Sequence, residues 1–302
     1  MSGRDRSRLG RLVLVGAVVG LLVGAAVAPT VWNRTTGPDG TVAVIELHST
    51  ITSDTADAVI DNLREARRND SIEAVVLDVD SPGGAAAASE QLYLAVKRTR
   101  EVMPVVTSVT GMAASGGYYT SVASDAIYVT PASSVGSVGV LATIPTQGVP
   151  SGEIVSGPDK GSTSTVPEVR RRVEALRRAF VGSVMAERGD ALSLTESELS
   201  HAKLYSGAKG VQIGLADAVG GIDTAIQDAA ERAGLSDYRV VRMESPTPSV
   251  LSQLGLSADA ASGGSASASA TFGDQGVETV HYLMIHGSVA GPRTEVIANA
   301  SA

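Results

Sequence analysis

Apolar positions come in one long unbroken run followed by short alternating ones. The long run is uncharged from Leu12 to Trp32 and is preceded by Arg4, Arg6, Arg8 and Arg11. Its 21 residues, at about 1.5 Å rise each, reach across a hydrocarbon core of roughly 30 Å. The pattern predicts a cytoplasmic tail over 1–11 and a transmembrane anchor over 12–32. The arginines hold the amino end in the cytoplasm, so everything after the anchor is exported. Ala26-Val27-Ala28 looks like a signal-peptide cleavage site. Pro29 follows it directly and hinders cleavage, so the expectation is a retained anchor in the cell membrane. Gly16, Gly20 and Gly24 line one helix face, a spacing that lets membrane helices pack closely.

After a turn-rich tether over 33–40, the pattern changes to strands and amphipathic helices. Thr41 to Leu47 is β-branched and apolar and predicts a strand. Asp54 to Arg68 predicts a helix capped by Asp54, with Ala56, Val59, Ile60, Leu63 and Ala66 on one face. A second strand follows over Ala74 to Asp80. A helix over Ala85 to Met103 carries Leu92, Leu94 and Val96 among its apolar positions. Strands over Pro104 to Val109 and Ala126 to Thr130, helices over Val166 to Arg188 and Gly221 to Ala233, and a strand over Tyr238 to Met243 complete a domain spanning 41–245. Strands alternating with helices through short glycine-rich turns predict an α/β fold with a mainly parallel sheet. Residues 246–275 then become rich in Ser, Ala and Gly, the composition of a flexible linker. Strand character returns over Val277 to His286, within a final segment 276–302, and predicts a tail strand that docks on the domain or on a neighbour.

Composition narrows the function classes. The chain has 302 residues, 43% hydrophobic and 19% charged, the balance of a globular protein. No cysteine is present, which removes disulfides and thiolate metal sites. A net charge of -8 repels a phosphate backbone and argues against nucleic acid as a partner.

Three glycine-rich turns follow predicted strands: Asp80-Ser81-Pro82-Gly83-Gly84, the stretch Gly111 to Gly117, and Ser134 to Gly139. In a parallel sheet such turns share one edge, where active sites form. Ser115 lies between small residues and a helical stretch, where a hydroxyl can act as nucleophile. The N–H of Gly116, with that of Gly83 or Gly84, can form an oxyanion hole. The competing reading is a small-residue turn packed for steric reasons. Serine needs a base. Of the four histidines, none follows Ser115 closely: His48 ends the first strand, His201 falls in a surface helix, and His281 and His286 lie beyond the linker. Lys160, in the loop Ser156-Gly157-Pro158-Asp159-Lys160, is the alternative, provided desolvation lowers its pKa. Asp78 and Asp80 alternate on a strand without further ligands nearby, which points away from a metal.

The segment GMAASGGYY, preceded by DSPGG and followed by GSVGV, resembles the signal peptide peptidase A family of serine peptidases, over about Val42 to Ala233. The resemblance implies a Clp protease/crotonase-like fold, a repeated ββα superhelix. It implies Ser115 as nucleophile, Lys160 as general base, and Ser137 as the serine that orients the lysine. Phe180-Val181 to Arg188-Gly189 and Gly214-Leu215-Ala216-Asp217 to Gly220 are similar to two further family motifs. No cofactor is implied. Peptides such as cleaved signal peptides are the expected substrates, and a homo-oligomer the expected assembly. Two rivals remain: a catalytically inactive peptide-binding membrane scaffold, and a crotonase-type acyl-CoA enzyme.

Overall fold

The computed structural model describes residues 38–143, 165–243 and 281–286. The predicted anchor, Lys160 and its loop, the linker and residues 277–280 lie outside them. Among the described residues no helix is long and apolar enough to cross a membrane.

The elements run in chain order as β1 (Gly40–Leu47), α1 (Ser53–Ala66), β2 (Ile72–Ser81), β3 (Gly83–Ala85), α2 (Ala86–Arg100), β4 (Val105–Ala114) and α3 (Gly116–Ser121). They continue with β5 (Ala126–Val129), β6 (Ser134–Gly136), β7 (Leu141–Thr143), α4 (Val166–Arg188), α5 (Glu196–Leu199) and β8 (Leu204–Ser206). The last are α6 (Gly207–Gln212), β9 (Ala218–Val219), α7 (Ile222–Arg232), β10 (Tyr238–Met243) and β11 (His281–Ile285).

The main sheet has the order β10-β1-β2-β4-β5-β9, and its successive pairs are all parallel. The upper end of β4 also pairs with β6 in parallel, and β6 pairs with β8 antiparallel. A second sheet, β3-β11-β7, is antiparallel. The fold is therefore α/β with a mainly parallel sheet, as the alternation of elements predicts.

Alternation along the strands divides the core in two. Ala43, Ile45, Val75 and Leu77 face one side, with α1, α2 and α4 packed over them through Val59, Leu63, Leu92, Val96, Phe180 and Val184. Val42, Val44, Ala74, Val76 and Val106 face the other side, under Ala225, Ile226 and Ala229 of α7. A parallel sheet covered on both faces needs such strands to be apolar nearly throughout.

Several boundaries differ from the sequence expectation. The cap of α1 is Thr52 rather than Asp54. Thr52 and Thr55 satisfy each other's backbone N–H groups in a capping box, and the helix starts one residue earlier. Leu94 is 57% exposed while Leu92 and Val96 are buried. Two residues along a helix turn roughly 200° about its axis, which takes Leu94 to the opposite face. The strand expected to stop at Val109 runs on to Ala114, because β6 supplies a partner for its far end.

Helix α4 is tied to the sheet by its last residue. Arg188 forks onto the Asp217 carboxylate at 3.0 and 2.9 Å and donates to the Gly214 carbonyl at 2.8 Å. Asp217 also accepts the Ile127 N–H at 2.7 Å, and Tyr118 donates to Leu215 O at 2.8 Å. One buried guanidinium thus joins α4, the segment before β9, and β5, while Tyr118 fixes α3 to the same segment. Stacked rings bind the helices to one another: Tyr93 lies 4.7 Å from Tyr119, and Tyr119 lies 4.6 Å from Phe180.

Arg188→Ala leaves the buried Gly214 carbonyl without its donor and the exposed Asp217 carboxylate without its partner, and is expected to destabilise the domain by about 2 kcal/mol, lowering Tm by roughly 6 °C. Thermal unfolding followed by circular dichroism measures this. Glu187, beside it, accepts from Lys97 at 2.7 Å, Arg100 at 2.8 Å and Tyr93 at 2.9 Å. Burial pushes its carboxyl up, but these three donors outweigh burial and hold it at about 2. A depressed carboxyl stabilises the fold above its ordinary value near 4.5 and loses that contribution as pH falls towards 2. Glu187→Gln is therefore expected to cost on the order of 2 kcal/mol at neutral pH, allowing for solvent screening. The difference from the native chain should shrink across that acid window in urea unfolding at stepped pH.

Candidate active site

Strand β4 delivers Ser115 to the carboxyl edge of the sheet, and α3 starts at the next residue. The turn between them is sharp: Ser115 has φ 53° and ψ -115°, a conformation that costs an L-residue strain and persists where the surroundings enforce it. Its N–H donates to Gly136 O at 2.8 Å and its carbonyl accepts from Tyr119 N at 2.8 Å. The side chain makes no cap bond to its own helix; its hydroxyl donates to Gly139 O at 3.3 Å. Ser115 is 1% exposed.

Gly83 and Gly116 meet beside it. Gly83 has φ +93°, and a Cβ there would lie 2.6 Å from Gly116 N and would overlap the Met284 carbonyl oxygen. A Cβ on Gly116 would crowd the Ser89 hydroxyl and lie 3.0 Å from the same Met284 oxygen. A side chain at Gly83 would have to displace backbone, and one at Gly116 would have to push the Ser89 side chain aside. The Gly83 N–H donates to Ser81 Oγ at 3.2 Å, while Gly84 stands opposite Met284 in the ladder of β3 with β11.

Ser137 follows β6 with φ 57° and is buried. Its N–H donates to Lys203 O at 2.8 Å. Its hydroxyl shares a hydrogen bond with His286 Nδ1 at 3.0 Å. The sequence places His286 beyond the linker and far from Ser115; the fold brings it into contact with the residue that the resemblance casts as the orienting serine. The recurrence of strand character at 277–286 was the available signal, but its partner was not legible. Ser115, Ser137, Gly83, Gly84 and Gly116 converge in this region, and Lys160 is outside the described residues.

Other candidates have structural duties. Asp80 accepts the Met112 N–H at 2.9 Å. Asp78 accepts from Thr110 at 3.0 Å and faces His48 at 3.3 Å. His201 is exposed in the turn after α5. Tyr118 is fully buried, and burial raises its phenol far above the usual range. The two further motifs seen in the sequence prove to be one device, since they contribute Arg188 and Asp217 to a single bidentate pair.

The model of Peptidase family S49 matches residues 97–148. The candidate protease slr0021 of Synechocystis sp. is 30% identical over 237 residues, covering 73% of this chain and 85% of that protein. "Protease 4" of Salmonella typhi is 30% identical over 222 residues, 67% of this chain, and "Serine protease SPPA, chloroplastic" of Arabidopsis thaliana is 28% identical over 226 residues, again 67%. The matched region spans 36% and 33%, about a third, of those two longer proteins. Among solved structures, a 1510-N membrane-bound stomatin-specific protease in complex with a substrate peptide aligns with TM-score 0.48 at 18% identity, covering 72% of this chain and 96% of the other. With the Ser115 motif inside the matched residues and a relative aligned over most of its length, the chain belongs to peptidase family S49, the signal peptide peptidase A family of serine peptidases.

Proposed function

We propose that this chain is a membrane-anchored serine endopeptidase with a Clp/crotonase-like fold, hydrolysing extended apolar peptides such as cleaved signal peptides on the exported side of the membrane. The observation that carries the reading is the buried, strained Ser115 at the end of β4, with Gly83 and Gly116 packed against one another beside it. Membership of the family supports the chemistry, and the Leu12 to Trp32 run with its four preceding arginines supports the anchor. A homo-oligomer remains part of the proposal, as the family resemblance implies.

In the mechanism, neutral Lys160 takes the proton from Ser115 as its oxygen bonds to the peptide carbonyl carbon. Gly116 N–H, with Gly83 or Gly84, holds the oxyanion. The protonated lysine then gives its proton to the leaving amine. Water, deprotonated by the same lysine, adds to the acyl-enzyme and releases the acid. Ser137 orients the lysine. No metal or organic group enters these steps.

Ser115→Ala and Lys160→Ala are each expected to lower kcat/KM on a fluorogenic apolar peptide by three orders of magnitude or more, about equally, because nucleophile and base act as a unit. Ser137→Ala should lower kcat by roughly ten- to hundredfold with KM retained. Full activity in both the Ser115 and Lys160 variants would refute the mechanism. Membrane fractionation tests the anchor: the full chain should sediment with membranes, and a chain starting at residue 33 should remain in the supernatant.

A further inference from the structure

We propose that Ala202, in the turn between α5 and β8, is a positioning residue for Ser115. Its β-carbon is the wall that sets the turn carrying Ser137 and Gly139, and that turn sets the rotamer of the Ser115 hydroxyl. The role rests on the peptidase reading of Ser115 and names what holds the acceptor of its hydroxyl in place.

Strain marks the residue. Among the described residues three that are not glycine have positive φ: Ser115 at 53°, Ser137 at 57° and Ala202 at 53°. A side chain in that conformation costs energy and persists where the surroundings enforce it. Ser115 and Ser137 belong to the candidate site. Ala202 lies far along the chain from both, yet backbone bonds join the three. Lys203, its neighbour, accepts the Ser137 N–H at 2.8 Å. The strand that follows, β8, pairs with β6 and sets Leu204 opposite Gly136. Gly136 in turn accepts the Ser115 N–H at 2.8 Å.

Space gives the reason for the strain. A Cβ on Gly139 would lie 2.7 Å from the Ala202 Cβ, and the next atom it would meet is the Ala202 Cα at 4.0 Å. Gly139 is not one of the glycines of positive φ, so its missing side chain answers to space rather than to backbone twist. The contact between Gly139 and the Ala202 methyl therefore fixes how near these two backbones can come. The Gly139 carbonyl accepts the Ser115 hydroxyl at 3.3 Å. Val138, between Ser137 and Gly139, is buried in the core, so the turn is pinned there and at Ala202. A hydrogen bond of that length stands near the limit of useful geometry, and a shift of a few tenths of an ångström releases the hydroxyl from its rotamer. One methyl group thus acts on the proposed nucleophile through a carbonyl, and on the serine assigned to orienting the base through the same turn.

The test uses the full chain, a fluorogenic apolar peptide, and a fluorophosphonate probe that labels a reactive serine. Gly139→Ala adds a methyl against that of Ala202 and is expected to lower kcat and the Ser115 labelling rate by about tenfold, with KM held within about twofold. Ala202→Gly removes the wall and is expected to lower kcat by about threefold. Its Tm should hold or rise, because glycine takes positive φ freely. A residue with a structural role alone would lose activity and stability together. The double variant, Gly139→Ala with Ala202→Gly, returns one β-carbon to the space between the backbones, and kcat should recover to within about twofold of the native chain. A double variant no more active than Gly139→Ala would overturn the role, as would full activity in Gly139→Ala. If Gly139→Ala does not fold, Ala202→Gly decides: native kcat and labelling in that variant overturn the role. Each of these results leaves the peptidase reading intact when the native chain is labelled and turns over. A folded native chain that neither labels nor cleaves would overturn the peptidase reading itself, and the role of Ala202 with it.

Discussion

Around Ser115 the backbone packs so closely that β-carbons have no room, and the rest of the site follows from that constraint. Gly83 and Gly116 bring the end of the second strand's turn against the first residue of α3. Ser115 is held beside them in a conformation that an unconstrained chain would leave. The strain is maintained by bonds on both sides, from Ser115 N–H to Gly136 O and from Tyr119 N–H to Ser115 O. The hydroxyl is thus set by main-chain geometry rather than by its own rotamer alone, as the proposed role of nucleophile requires.

That packing depends on elements far away in the sequence. α3 has only six residues and cannot hold its own place by helix propensity. Tyr118 anchors it to Leu215, and Tyr119 wedges between Tyr93 and Phe180. Leu215 is in turn placed by the Arg188–Asp217 fork next to it. The clamp between α4 and the segment before β9 therefore supports the helix that begins next to Ser115, the proposed nucleophile, from a distance.

Much of this was legible from residue patterns. β-Branched runs and helical periodicity identified the parallel α/β layout, because strands buried on both faces have to be apolar throughout. The three glycine-rich turns gave the site's backbone. Other features were not legible for physical reasons. β6 reads as a glycine turn, and pairing with β4 makes it a strand. Thr52 outcompetes Asp54 as a cap because its partner Thr55 lies three residues on, a local choice that composition does not decide.

The sequence by itself determined which residues were available for chemistry, a serine among glycines and no cysteine, and it placed the chain in its peptidase family. It also determined which strands belong in the sheet, since hydrophobic alternation is a local property. Tertiary structure decided what meets what. Arg188 with Asp217, Tyr118 with Leu215, and above all His286 with Ser137 are contacts across 29, 97 and 149 positions. No periodicity encodes such separations, because they follow from how whole elements stack and how a distant strand finds an open edge. The glycines were visible as letters; that two of them surround the carbonyl of Met284 became visible when β11 was laid against β3.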